Sequence, residues 1–327
     1  MEILASLTQN LLTPAVLFFV LGIAAGFFKS DLEIPKSISS YLSIYLMMAI
    51  GFKGGVAIAD APEFSNEILL VILAALVIGV SLPALGFALL RKTTSLDTAT
   101  AAAVAAHYGS ISIVTFATAA AFLKLNNVAY EGYIVAIAAI KEAPAILIGL
   151  YLAHRYAPET RSHRAEQKKL SREIFTNGAI MLLLGSFLIG WMTGAEGMAK
   201  MEGFLVTPFQ GILALFLLDM GLMVAKNMHH LRSFTFSIIA FGIYMPLIGA
   251  SIGLCAANAI GLDVGTGFLF MVLCASASYI AVPAAMKLAL PEAKASIYVP
   301  LSLAITFPFN ILLGIPLYES ISYYILK

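Results

Sequence analysis

Apolar stretches long enough to cross about 30 Å of hydrocarbon recur along the whole chain. They fall near 11–28, 37–58, 67–90, 98–123, 131–154, 173–194, 203–226, 234–259, 265–288 and 296–325. Each run is continuously apolar, whereas a membrane barrel would show short segments of alternating polarity. The pattern therefore predicts an all-α integral membrane protein of about ten transmembrane helices. Composition agrees: 61% of the 327 residues are hydrophobic and only 11% are charged, too few to cover a water-soluble surface of this size. The net charge of +1 gives no reason to expect nucleic acid as a partner. Cys255 and Cys274 lie inside apolar runs and read as two buried small hydrophobes, with neither a disulfide framework nor a metal site implied.

The first residues lack a basic region ahead of the first apolar run, and Lys29 follows that run. The run is thus expected to be a retained span, not a cleaved signal. Basic residues then predict orientation. Lys29, Lys36, Arg91, Lys92, Arg155, Arg161, Arg164, Lys168, Lys169, Arg172, Lys226, Arg232, Lys287 and Lys294 all fall in alternate loops, and they make up 14 of the 19 Lys and Arg residues. Those loops should be cytoplasmic, placing both termini outside a plasma (inner) membrane. Within spans, Lys53 is expected to snorkel to the interface, and His107 and Asp219 to be satisfied interior residues.

An internal repeat divides the chain. Residues 139–150 align without gaps to 304–315, and 46–51 parallel 217–221, both at an offset of about half the chain. Five helices per half means that the copies insert with opposite orientation, as in secondary transporters. The expected domains are residues 1–154, a basic cytoplasmic linker 155–172, and residues 173–327. The linker is a solvated, orientation-setting loop or a docking site for a cytosolic partner.

Polar chemistry interrupts the apolar pattern at matched positions. His107-Tyr108-Gly109-Ser110-Ile111-Ser112 lies within the fourth span, and Ser276-Ala277-Ser278-Tyr279 within the ninth, ahead of Pro283. Glycine or proline beside serines lets a helix break in mid-membrane, and paired breaks aim free amides and hydroxyls at one small anion. A third interruption is Lys141-Glu142 in the fifth span, followed by Pro144. Ionisable groups at that depth face the protein interior. Glu142 ligates a coupling cation, carries a proton or neutralises Lys141. The prolines 300, 308 and 316 should kink or break the last span. No Walker loop, HExxH or GxSxG is present, so nothing points to an enzyme or to a cofactor.

The chain resembles the sodium-dependent bicarbonate transporter family best known from cyanobacteria. The resemblance runs through residues 50–58, Tyr108-Gly109-Ser110, Met220-Gly221-Leu222, 274–278, Leu290-Pro291, Ser296-Ile297-Tyr298 and Ile315-Pro316-Leu317. It implies two inverted five-helix repeats, a homotrimer, an elevator-type movement, bicarbonate with Na+ as the coupling ion, membrane lipid around it, and a PII-like cytosolic regulator. It further implies substrate binding at Tyr108, Gly109, Ser110, Ile111, Ser276, Ala277 and Ser278, with Lys141, Glu142 and Tyr279 as coupling or charge-compensating residues. Ile111 and Ala277 stand where the family carries hydroxyls, and Tyr279 where it carries an aspartate. Lys141 is therefore expected to replace sodium in part, leaving coupling weak or absent. Other small monocarboxylates, or a non-transporting receptor or assembly subunit, remain the alternative readings.

Overall fold

The computed structural model describes residues 12–59, 66–156, 178–279, 282–283, 285–286 and 290–327, without the side chains of residues 139, 142, 143, 179, 180, 232 and 233. Every regular element among the described residues is helical. In chain order these are α1 (Pro14–Phe27), α2 (Lys36–Ala59), α3 (Asn66–Thr93), α4 (Thr98–Gly109), α5 (Ile113–Leu125), α6 (Ile134–Tyr156), α7 (Gly178–Met201), α8 (Phe209–Asn227), α9 (Phe236–Ile260), α10 (Val264–Ala275) and α11 (Ala295–Ile325). Among the described residues, seven helical stretches are long and apolar enough to span a membrane, α4 and α5 together forming one of them; α1 and α10 are shorter apolar helices. The faces turned outward are apolar too. On α3, Leu69, Leu70, Leu73 and Val77 stay exposed along one stripe, which suits lipid and not water. The protein is a multi-pass membrane protein.

Two helix pairs form a closely packed frame, and glycine sets their spacing. Gly51 of α2 lies against Leu183 and Ser186 of α7, and Gly55, one turn on, against Phe187 and Trp191. Gly22 of α1 touches Leu218 and Gly221 of α8, while Gly26 touches Ala225. Contacts advance in the same direction along both members, so each pair is parallel. A methyl at Gly55 would overlap the Phe187 carbonyl oxygen, which is why small residues spaced four apart sit at these crossings.

The remaining helices pack as α3 with α4 and α6, and as α9 with α10, α4 and α10 being the innermost. Here the two halves match in detail. Both α4 and α10 are 12 residues long. The carboxylates of Asp97 and Asp263 accept first-turn amides, from Thr100 in α4 and from Gly265 and Thr266 in α10. The hydroxyls of Thr100 and Thr266 each accept one further backbone amide, from Lys294 at 3.1 Å and Glu131 at 2.8 Å respectively. The start of each inner helix is thereby latched to the segment preceding the last helix of the opposite half.

Loops assigned to one side by their basic residues also meet in space. Lys226 reaches Glu33 at 3.4 Å, and Lys294 reaches Asp97 at 3.4 Å. On the other side, Tyr133 donates to Glu67 at 2.6 Å.

Several expectations change. The helix expected to end at 194 does break there, at Gly194, whose positive φ (53°) side chains disfavour, but a second helical stretch follows it to Met201 and passes into a π-helical turn at Glu202–Val206. The last span is continuous from Ala295 to Ile325, so it is not broken. It widens into π turns at Ser302–Thr306 and Asn310–Gly314, which accommodate the amide missing at Pro308. Cys255 is exposed on α9, not buried, whereas Cys274 is buried. The basic linker beyond Tyr156 lies outside the described residues.

Candidate functional site

The centre of the molecule is the place where two helices stop short. After α4 the chain leaves helical geometry at Ser110 and re-enters it at Ile113, and the still extended Ser112 caps α5 by accepting the Thr115 amide at 3.2 Å. After α10 the chain is extended at Ser276 and non-helical through Tyr279. The two breaks cross and bond to each other. The Ser112 amide donates to the Ser276 hydroxyl at 3.0 Å, and the Ser278 amide donates to the His107 carbonyl at 2.9 Å. Pairing Ser112 with Ser276 and His107 with Ser278 means that the segments pass in opposite directions.

Each break leaves a helix C-terminus with carbonyls lacking intrahelical partners. Those carbonyls are capped from the last helix of the same half. The Lys141 ammonium of α6 donates to the Gly109 carbonyl at 2.7 Å. The Asn310 side-chain amide of α11 donates to the Ala275 carbonyl at 3.0 Å, and Tyr318 donates to the Asn310 side-chain oxygen Oδ1 at 3.0 Å. Lys141 is 0% exposed. A positive charge at a helix C-terminus opposes the negative end of the dipole, which helps to hold it there. Gly109 has no room for a side chain, because a methyl would overlap the Pro83 ring.

Ser110 is 0% exposed, and its hydroxyl has no hydrogen-bond partner among the described residues. An unsatisfied buried hydroxyl is costly, so its retention calls for a ligand or another reason. Ser276, Ala277, Ser278 and Ile111 are also buried. The Ser278 hydroxyl accepts the Val282 amide at 3.3 Å, so it is already engaged. Ile111 and Ala277 bring no donor side chain to the crossing. The Ser276 hydroxyl is engaged as well, accepting the Ser112 amide across the two breaks.

Tyr108 is positioned differently from Ser110. Thr306 passes its proton to the Gly242 carbonyl at 2.7 Å, so in the 2.5 Å contact between Tyr108 and Thr306 it is Tyr108 that donates. The phenol is thus engaged with α9 and α11 side chains. The Tyr279 ring packs edge-on to Phe307 at 5.1 Å, with its hydroxyl beside the Ser112 side chain. The Glu142 side chain lies outside the described residues.

Two residues expected to be satisfied are only half so. His107 donates from Nδ1 to the Ala103 carbonyl at 2.6 Å, and its Nε2 has no partner among the described residues. Asp219 is buried beside Ser39, with one carboxylate oxygen unpaired. Lys53 is half-buried, and its ammonium sits 3.9 Å from the centre of the Phe209 ring at the start of α8. Asn310 was not singled out by the sequence. A signal was available, because Thr306 and Asn310 are polar residues four apart in an otherwise apolar run.

Residues 14–323 match a family model described as the Na+-dependent bicarbonate transporter superfamily. No curated protein matches the chain.

Proposed function

The chain belongs to the Na+-dependent bicarbonate transporter superfamily, a family of transporters and not of enzymes, and from that premise we propose that it carries bicarbonate through the crossing of the two helix breaks. The observation that supports this most is the pairing of a buried, partnerless Ser110 hydroxyl with the buried Lys141 ammonium one residue away, at the Gly109 carbonyl. A small planar anion needs several donors in a confined space. In this reading the anion takes the Ser110 hydroxyl and the Ser112 amide, releasing the latter from Ser276. The Ser276 and Ser278 hydroxyls then close on it from the other half.

Sodium fits poorly at the same place. The Gly109 carbonyl, a natural oxygen ligand for a small cation, already accepts from the Lys141 ammonium. Tyr279 offers a phenol where a carboxylate would serve. Lys141 then supplies the positive charge that a coupling cation would bring, and uptake is weakly sodium-dependent or independent of sodium.

The architecture belongs to the same proposal: ten spans as two inverted five-helix repeats, with both termini outside. It is supported by the parallel pairing of α1 with α8 and of α2 with α7, in which the first helix of each half meets the second helix of the other. The matched latches of α4 and α10 support it as well. So do the contacts between loops assigned to one side. An elevator movement would slide the crossing against the frame of α1, α2, α7 and α8. Homotrimeric assembly is carried by the family resemblance.

The test is thermal stability of the purified protein with and without bicarbonate. Bicarbonate should raise the melting temperature, and Ser110→Ala should abolish the rise while leaving the ligand-free value nearly unchanged, because that hydroxyl has no partner among the described residues. Indifference of the native protein to bicarbonate and to other small anions would favour an assembly role and overturn the reading.

A further inference from the structure

A cavity of about 410 Å³ lies away from the helix breaks, between the frame helices α2, α7 and α8 on one side and α5 with the start of α6 on the other. It extends along α5 from Phe116 to Lys124, which at 1.5 Å per residue is about 12 Å. Most of its wall is hydrocarbon or aromatic, and its charged groups are Lys53, Lys124 and Glu202. Among the described residues neither lysine forms an ion pair, and the two ammonium groups repel each other. Lys53 is held over the Phe209 ring, a weak substitute for an anion.

We propose that this cavity is a second anion site, distinct from the crossing, that takes a monocarboxylate with a short hydrocarbon tail. Two lysines against one glutamate leave a single positive charge, which one carboxylate neutralises. Lys53 and Lys124 grip the carboxylate, and the tail lies along the apolar wall toward Phe116. A bare inorganic anion would satisfy the charge and leave that wall unused. The size suits a small organic molecule, and a pocket with a few polar groups set in apolar walls is the usual form of such sites. The occupant touches both the frame helices and α5, so it pins the two together and inhibits any transport that requires them to slide.

Binding is read from the melting temperature of the purified full-length chain, in bicarbonate-free buffer at fixed ionic strength. The probes are acetate, butanoate, hexanoate and octanoate, with octanol as the uncharged control. The concentration giving a half-maximal shift should fall roughly fourfold for each methylene buried. Octanol should give no comparable shift. Lys53→Gln combined with Lys124→Gln should remove the effect, whereas Glu202→Gln should strengthen it by raising the net positive charge of the cavity. This opposite-signed variant keeps the test decisive if the double variant fails to fold. Ser110→Ala should leave the carboxylate shift intact, so failure of this site and failure of the bicarbonate reading are separable. No shift with any carboxylate, an equal shift with octanol, or a shift unaltered by Glu202→Gln would overturn the proposal.

Discussion

The break after α4 and the break after α10 share a 12-residue lead-in helix, an aspartate N-cap and a threonine latch, yet their terminal carbonyls are covered by different chemistry. Gly109 is capped by an ammonium and Ala275 by a neutral amide, itself held by Tyr318. Both solutions satisfy the helix end. Only the first, with Lys141 protonated, would place a full positive charge in the interior, where an ion costs several kcal/mol more than a neutral donor. A lysine where an asparagine serves equally well for capping is therefore unnecessary for folding. In the proposed function its position beside the Ser110 hydroxyl ties the charge to the anion, so that the first half would carry the electrostatics of the site and the second half its matching hydroxyls.

Making the two caps alike should have the largest effect. Lys141→Asn copies the second half into the first, so the protein should still assemble in the membrane while bicarbonate uptake falls by about two orders of magnitude. That corresponds to roughly 2–3 kcal/mol for one charge-assisted hydrogen bond. Uptake by proteoliposomes checks it, and unchanged uptake would show that the two caps are interchangeable.

The converse change, Asn310→Leu, strips the Ala275 carbonyl and leaves the Tyr318 hydroxyl without its acceptor. Stability should fall by about 1–3 kcal/mol, as for buried polar groups deprived of a partner. A lower melting temperature in detergent would report it. In this variant anion affinity should change less than stability, the reverse of Lys141→Asn.

A smaller difference lies at the N-caps. Partial burial pushes the Asp97 carboxyl up, but hydrogen bonds from the Thr100 amide and hydroxyl, together with Lys294, hold it below the usual carboxylate range. A depressed folded-state value means that this stabilisation is full above the unfolded value, near pH 4. It is lost as pH falls through the folded value. Asp97→Ala should cost about 1 kcal/mol at neutral pH and flatten the acid limb of the stability profile. An acid limb identical in Asp97→Ala and the native protein would remove Asp97 from this account.

Much of this comparison is written in the sequence. Hydropathy marks the spans, because lipid tolerates few charges, and Gly109-Ser110 and Ser276-Ala277-Ser278 mark the breaks, because such residues release helical geometry. The family follows from ordered motifs across the chain. The caps are harder to read. Lys141 and Asn310 act on carbonyls 32 and 35 residues away, and local periodicity says nothing about which interior carbonyl a polar side chain will meet. In α11 it is Asn310, and not Thr306, the residue aligned with Lys141, that takes the capping role. The cavity around Lys53 and Lys124 is illegible for the same reason, since separate elements build it. Lys53 alone reads as a snorkelling residue.

The central claim is that the Lys141 ammonium stands in for a coupling cation. Its most direct test is bicarbonate uptake by proteoliposomes of the native protein, compared with and without an inward sodium gradient at constant pH and membrane potential. Uptake that changes less than about twofold is the predicted result. A steep requirement for sodium would contradict it.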